Sequence, residues 1–389
     1  MRILLLSAYD ALSHRYWREQ LLAQFPSVAW SVLALPPRHF SYRVRGNPLS
    51  WYSAQRELLQ QRFDLVIATS VVDVACLRGL VPSLAALPLW LYCHENQFHY
   101  PDSGQQRDTL QRGNRLQAQL VFLYNCLCAD AISFNSAFNR DTALAGLGRL
   151  LQQLPDKFDP ALIDGIGARS DVLPVPVESL VPKRKSNKEY AGTLPGAAAS
   201  RNLQLLWNHR WEYDKGPEHL LAFVEALAAS DLPITMHIAG QQFREQPAAF
   251  AVIEKLLDDP LLRGPVTKGQ WGFVASQRKY RELLAGCDVV LSTAQHDFQG
   301  LAVLQACQAG CAPLLPDRLA YPEYFAPRFL YHWHDNPVDN ARSMLHRLQD
   351  VLADLAAGKA LPDLQGLGWN ALAPAYQQKI SFLGGAAIA

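Results

Sequence analysis

The sequence predicts an α/β protein built from two doubly wound domains, and three observations carry that prediction. Short, almost uninterrupted apolar runs alternate with amphipathic helical patterns through the first 177 residues. The pattern breaks in a polar, basic stretch rich in Gly, Pro and Ser at 178–200, and then restarts. A chain of 389 residues also exceeds what a single core of ordinary size holds. Near-continuous apolar strands separated by helices indicate parallel sheets covered on both faces.

Element by element, RILLLSAY opens the chain as a buried strand. SHRYWREQLLAQF repeats apolar residues at helical spacing, with Ser13 placed to cap it. VAWSVLALP, FDLVIATS, PLWLYCHE, ADAISFNS and SDVLPVPV are further strands, completing a domain over 1–180. The linker at 178–200 carries Lys183, Arg184, Lys185 and Lys188, either solvated or touching a polyanion. NLQLLWNHR then reads as a strand and GPEHLLAFVEALAAS as a helix with Pro217 in its first turn. ITMHIAG, SQRKYRELLAG, CDVVLS, GLAVLQACQAG and CAPLLP continue the alternation, giving a second domain over 196–365.

Bulk properties narrow the classes. Net charge is +1, yet no Asp or Glu occurs from Gln20 to Arg56, while Arg38, His39, Arg43, Arg45 and Arg56 do. Such a patch attracts phosphate whatever the global charge, unless it is simply a solvated loop. The seven cysteines (76, 93, 126, 128, 287, 307, 311) are odd in number and form no CxxC pair, so neither a disulfide framework nor a zinc site is expected. The N-terminal apolar run is too short for a signal peptide, and VFLYNCLCADAISF is broken by Asn125 and Asp130. A cytoplasmic protein that does not engage a membrane is the expectation.

In doubly wound sheets, ligands bind beyond the carboxyl ends of the strands, so those loops matter most. WNHRWEYDKG places Arg210 at a strand end and Lys215 just before a helix, where both can reach one anion at the helix N-terminus. The alternative is surface pairing with Glu212 and Asp214. STAQHDFQG sets Asp297 in a turn, Gly300 where a ligand can approach the backbone, and Gln305 one turn further on. Asp297 and Gln305 suit sugar hydroxyls, or else a locally capped helix. YCHENQFHYP gathers His94, Glu95, Asn96, Gln97 and His99 at a strand end, in a spacing that is poor for zinc. SFNSAFN adds Asn135, Ser136 and Asn139.

Together these strings carry a resemblance. Two doubly wound halves, an Arg-x4-Lys in the second and the Asp297–Gln305 turn resemble GT-B glycosyltransferases of the family-4 type. YCHENQFHYP, SFNSAFN, WNHRWEYDKGPE, STAQHDFQG and YPEYF are similar to the tRNA-queuosine α-mannosyltransferase family, over roughly residues 1–330. The resemblance implies a GT-B fold, two Rossmann-like domains facing a central cleft, with the tail at 366–389 crossing back to the first. It implies transfer of mannose from GDP-mannose to the cyclopentenediol of queuosine at the wobble position of tRNA-Asp, with retention. Arg210 and Lys215 would hold the donor diphosphate, and Asp297 the mannose hydroxyls. Gly300 would approach the phosphates, Gln305 would hold the ribose, and Leu301 would be a further donor-binding residue. His94 would sit at the reacting centre as a positioning and charge-stabilising group, with Ser13, His14 and Asn135 facing the donor. No metal or cofactor is implied, since two cations replace it.

For the tRNA acceptor, PPRHFSYRVRGNPLSW mixes Arg38, Arg43 and Arg45 with His39, Phe40, Tyr42 and Trp51, phosphate binders among stacking surfaces. Glu95, Asn96 and Gln97 would add acceptor contacts, and Arg107, Arg112 and Arg115 would extend the patch. The family carries glutamates at both ends of the turn where this chain has Asp297 and Gln305, which alters sugar reach and ribose affinity. Two rival classes are a transferase for a lipid or glycan acceptor, and a catalytically weak tRNA-binding relative.

Overall fold

The computed structural model describes residues 1–99, 109–178, 201–359 and 361–385, with residues 109–112 described by backbone alone. The linker at 178–200 therefore falls almost wholly outside the described residues, as does Arg107. Two compact units are present: Met1–Pro176 with Trp369–Ala389, and Val177–Gly368.

The first unit is a six-stranded parallel sheet of β1 (Arg2–Ser7), β2 (Ala29–Ala34), β3 (Leu65–Thr69), β4 (Leu89–Cys93), β5 (Ala131–Phe134) and β6 (Ser170–Val172). Their spatial order is β2-β1-β3-β4-β5-β6. Every residue of β3 and β4 is buried, as a strand covered on both faces by helices must be. Chain order reverses between β1 and β3, so the loops after those strands diverge and leave a crevice at their carboxyl ends.

The second unit repeats the plan with β7 (Leu203–Asn208), β8 (Ile234–Ala239), β9 (Val266–Gly272), β10 (Val289–Leu291), β11 (Ala312–Pro316) and β12 (Leu330–Tyr331). The order is β12-β11-β10-β7-β8-β9, again all parallel, and the reversal falls between β7 and β10. The two loops singled out in the sequence, WNHRWEYDKG and STAQHDFQG, are the ones that leave β7 and β10.

Three local expectations change. The first helix runs Leu12–Gln24 with Ala11 at its cap position and no side-chain cap, so Ser13 lies inside the first turn. The acid-free stretch is a helix, Phe40–Ala54, despite Pro48 in its interior. Pro48 has no N–H to offer the Val44 carbonyl four residues back. Asn47 substitutes for it, its Nδ2 donating to the carbonyls of Val44 (3.2 Å) and Arg43 (2.7 Å). The same amide bonds the Val71 carbonyl and accepts from the Asp73 N–H, tying the helix to the loop after β3. Trp51, expected as a stacking surface, is buried in the core, and Phe40 packs edge-on to Tyr9. Burying an indole stabilises the fold by a few kcal/mol, on the order of 3, which outweighs displaying it.

The last helix, Trp369–Gly384, packs within the first unit. Its Tyr376 and Ile380 are buried, and Lys379 pairs with Asp171 and donates to Ser133.

Candidate active site

In the second unit, the loops after β7 and β10 are stitched into one body. The Thr293 hydroxyl donates to the Lys215 carbonyl at 2.8 Å and accepts from the Trp207 indole at 2.9 Å. The N–H groups of Gln295 and His296 both donate to the Asp214 carbonyl. Gly216, left-handed with φ 65°, allows this closeness, because a Cβ there would lie 2.1 Å from the Thr293 carbonyl oxygen. It also opens the helix Pro217–Ala228 immediately after Lys215.

These contacts bring Arg210, Lys215 and Asp297 to one place. Lys215 is buried along its stem, and its Nζ donates to the His296 carbonyl at 2.5 Å. The same Nζ lies 3.3 Å from Asp214 and 3.8 Å from Asp297. Arg210 is 45% exposed at the side chain, pairs with Glu212 at 2.5 Å and reaches Asp214 at 3.7 Å. Burial pushes the Asp214 carboxyl up, but Lys215, His296 and Arg210 together hold it well below the usual carboxylate range. Asp297 is likewise below that range, because Lys215 and His209 outweigh its burial. His209 is kept neutral mainly by burial and then by Lys215, its value pushed down to about 4.

Asp297 is also engaged by the fold. Its Oδ1 accepts the Gly300 N–H at 2.9 Å, which opens the helix Leu301–Gln308, and its Oδ2 accepts from the Tyr321 hydroxyl at 3.3 Å. Gly300 is left-handed at φ 74°, with the Tyr321 ring where a Cβ would go. Asp297 thus holds the backbone N–H of Gly300, the residue at the helix's cap position, and lies beside the lysine. Leu301 and Gln305 are half-buried on that helix.

In the first unit, His94 leaves β4 into an aromatic cage. Its ring centroid lies 4.2 Å from His14, 4.8 Å from Tyr92 and 4.9 Å from Trp17. Nε2 is buried without a hydrogen-bond partner among the described residues. Burial foremost, and then His14, hold the imidazole well below its ordinary value, so it is neutral near pH 7. His94 therefore offers a neutral donor or acceptor rather than a charge. Ser13 Oγ lies 3.5 Å from His14 Nδ1, and the Asn135 amide donates to the His94 carbonyl at 2.9 Å.

The acceptor candidates separate. Asn96 is fully buried, its amide bonded to the Asn139 carbonyl, Asn139 Oδ1 and Thr142, and its oxygen accepting the N–H groups of Phe98 and His99. It shapes the loop. Gln97 is buried and Glu95 half-buried. Arg38, His39, Tyr42 and Arg45 are exposed, Arg43 is half-buried under the Tyr42 ring, and Arg45 is pinned to Asp73 at 2.7 Å. Sequence reasoning missed Asp214, His209 and His296 as site members. The only signal was polarity at strand ends, which a surface ion pair shares.

Residues 2–177 match the profile of a family described as tRNA-queuosine alpha-mannosyltransferase N-terminal. A Drosophila melanogaster protein named tRNA-queuosine alpha-mannosyltransferase is 30% identical over 332 residues, covering 85% of this chain and 83% of that protein. The chain belongs to the tRNA-queuosine alpha-mannosyltransferase family. This family member is a glycosyltransferase. A Xanthomonas oryzae pv. oryzae protein, GDP-mannose:cellobiosyl-diphosphopolyprenol alpha-mannosyltransferase, is 28% identical over 135 residues, 33% of this chain and 32% of that protein. Among solved structures, the sucrose-phosphate synthase of Thermosynechococcus elongatus superposes with TM-score 0.65 at 14% identity, covering 99% of both chains. Anabaena HepE in complex with UDP and glucose superposes at 0.61 and 13% identity, covering 98% of this chain and 100% of that one. At such identities these two likenesses establish the GT-B fold of this mannosyltransferase-family chain. Among the described residues no helix is long and apolar enough to cross a membrane, and no cluster of His, Cys, Asp and Glu could hold a metal ion.

Proposed function

We propose that this chain transfers mannose from GDP-mannose to the cyclopentenediol of queuosine, at the wobble position of tRNA-Asp, with retention at the anomeric carbon. The observation that carries the reading is the meeting of Arg210, Lys215 and Asp297 at the β7/β10 reversal, in a chain of this family. The acceptor is supported by the name of the Drosophila relative, and the donor by that of the Xanthomonas relative, which includes GDP-mannose.

Arg210, exposed and paired with Glu212 and Asp214, exchanges Glu212 for the donor diphosphate. Lys215 supplies the second positive charge, and the start of helix Pro217–Ala228 supplies free N–H groups. As the bond from the anomeric carbon to the phosphate oxygen breaks, negative charge grows on the diphosphate, and these fixed cations stabilise it. The acceptor oxygen bonds to the same face of that carbon, and its proton passes to the departing phosphate. Two cations do the neutralising, so the reaction needs no metal. Gln305 holds the ribose and Leu301 flanks the phosphates, while Asp297 faces a sugar hydroxyl beside Lys215. His94, neutral and with Nε2 open, gives one hydrogen bond to the transferred sugar, and Ser13, His14 and Asn135 line its surroundings. Arg38, His39, Tyr42, Arg43 and Arg45, on and before the acid-free helix, meet tRNA phosphates, with Glu95 and Gln97 nearer the nucleoside. The setting is the cytoplasm.

The test is incubation with GDP-mannose and queuosine-containing tRNA-Asp, followed by mass measurement of the released nucleoside. A hexose added to queuosine supports the reading. Folded protein that binds the tRNA and adds none sinks it, and mannose delivered to a lipid or glycan instead identifies the rival class. Arg210→Ala should abolish transfer and leave tRNA binding nearly intact.

A further inference from the structure

Nothing hydrogen-bonds the His94 ring in place among the residues described. Among those residues its Nε2 has no partner, and the ring packs against His14, Trp17 and Tyr92. Two of those neighbours, Trp17 and Tyr92, are themselves stacked at 4.2 Å with their planes 20° apart. Their polar ends converge on one atom. The Trp17 indole N–H donates to Tyr376 Oη at 3.1 Å. Tyr376 Oη in turn lies 3.0 Å from both Tyr92 Oη and the Pro174 carbonyl, with one proton to give. The Tyr92 hydroxyl donates to the Leu173 carbonyl at 2.8 Å. All three rings are fully buried, where each such bond is strong and costly to leave unmade.

We propose that Tyr376, contributed by the last helix, is a positioning residue for His94, acting through the Trp17–Tyr92 stack. The inference rests on the reading of His94 as the group that touches the transferred sugar. Without the Tyr376 hydroxyl, the indole N–H loses its acceptor and the stack is free to turn or slide. The imidazole packed on its edge then moves with it. The helix is fixed independently by Lys379 on Asp171 and Ser133, so removal of one hydroxyl shifts the stack without detaching the helix.

The experiment uses the full chain with Tyr376→Phe, Tyr92→Phe, the double variant and His94→Ala, each assayed for mannose transfer to queuosine-containing tRNA. A displacement of about 1 Å at a reacting centre costs up to about a hundredfold in rate. Tyr376→Phe should therefore lower kcat between about ten- and a hundredfold, with the KM for GDP-mannose unchanged. The imidazole resonances of His94 should shift, and the double variant should lose no more than the worse single one, since both act through one network. A merely structural role predicts lowered thermal stability with kcat per folded molecule intact, and that result overturns the inference. Near-wild-type kcat in Tyr376→Phe beside an inactive His94→Ala also overturns it while leaving His94 in its role. Full turnover by His94→Ala overturns the reading of His94 itself, and the inference with it.

Discussion

Replacing Lys215 with Met keeps the buried aliphatic stem and deletes the charge. The ammonium lies 3.3 Å from Asp214 and 3.8 Å from Asp297. At an effective dielectric constant of about 20, those separations correspond to gross attractions of about 5 and about 4 kcal/mol. Desolvation offsets much of this, so the useful figure is the cost of stranding buried carboxylates beside no cation, about 3–5 kcal/mol. Both carboxyls, now held below their usual range largely by Lys215, should rise on its removal. With the diphosphate placed as proposed, catalysis loses one of its two fixed cations, a deletion that costs about 10²–10³ in rate. The assays are urea unfolding at pH 7, GDP binding by calorimetry, and kcat/KM for mannose transfer. Folded Lys215→Met that retains kcat/KM within threefold of wild type would falsify the placement of the diphosphate here.

Three further outcomes can be measured. His209 is buried and held neutral at about 4, below its unfolded value of about 6.5. The unfolded chain therefore binds the proton first on acidification, so this contribution is present above about pH 6.5 and is lost as pH falls toward 4. Between pH 7 and 4.5 it amounts to about 2 kcal/mol, and His209→Asn should remove that part of the slope in urea titrations. Gly216→Ala should cost at least about 2 kcal/mol of stability and most of the activity, because its Cβ meets the Thr293 carbonyl in a left-handed backbone; wild-type thermal stability in this variant would contradict the stitching of the two loops. Gln305→Glu should tighten GDP binding about fivefold, the gain of about 1 kcal/mol from a charge-assisted bond to ribose, and unchanged affinity would remove Gln305 from the ribose site.

The fold was legible because burial on both faces leaves a plain mark: β1, β3, β4, β10 and β11 are almost uninterrupted apolar runs, and β7 is broken only by Gln204 before its end at Asn208. β9, with Lys268, Gly269 and Gln270 in its middle and most residues half-buried, bears no such mark and was missed. Helix Phe40–Ala54 was hidden because Pro48 argues against a helix, and the amide of Asn47 that replaces the missing bond is a tertiary device invisible at that spacing. Arg210, Lys215, Asp297 and Gly300 were legible because they stand beyond strand ends in distinctive strings. Asp214 was not, since a buried acid between two cations and an exposed acid beside them have the same sequence. Asn96 shows the converse: a polar residue at a strand end that serves the loop around it. Tyr376 carries no local signal, its partners lying 359 and 284 positions away.

That separation sets an order of events during synthesis. The second unit is one contiguous span, Val177–Gly368, and contains all of its own strands when its last residue leaves the ribosome. The first unit starts emerging earlier but lacks Trp369–Ala389 until the whole of Val177–Gly368 has been added. Until then Trp17, Tyr92 and Trp90 stand without the helix that covers them, an apolar face exposed for the time needed to translate some 190 residues, about 10–40 s at ordinary elongation rates. In the order of synthesis, the helix that covers these rings therefore arrives only after every strand of the second unit.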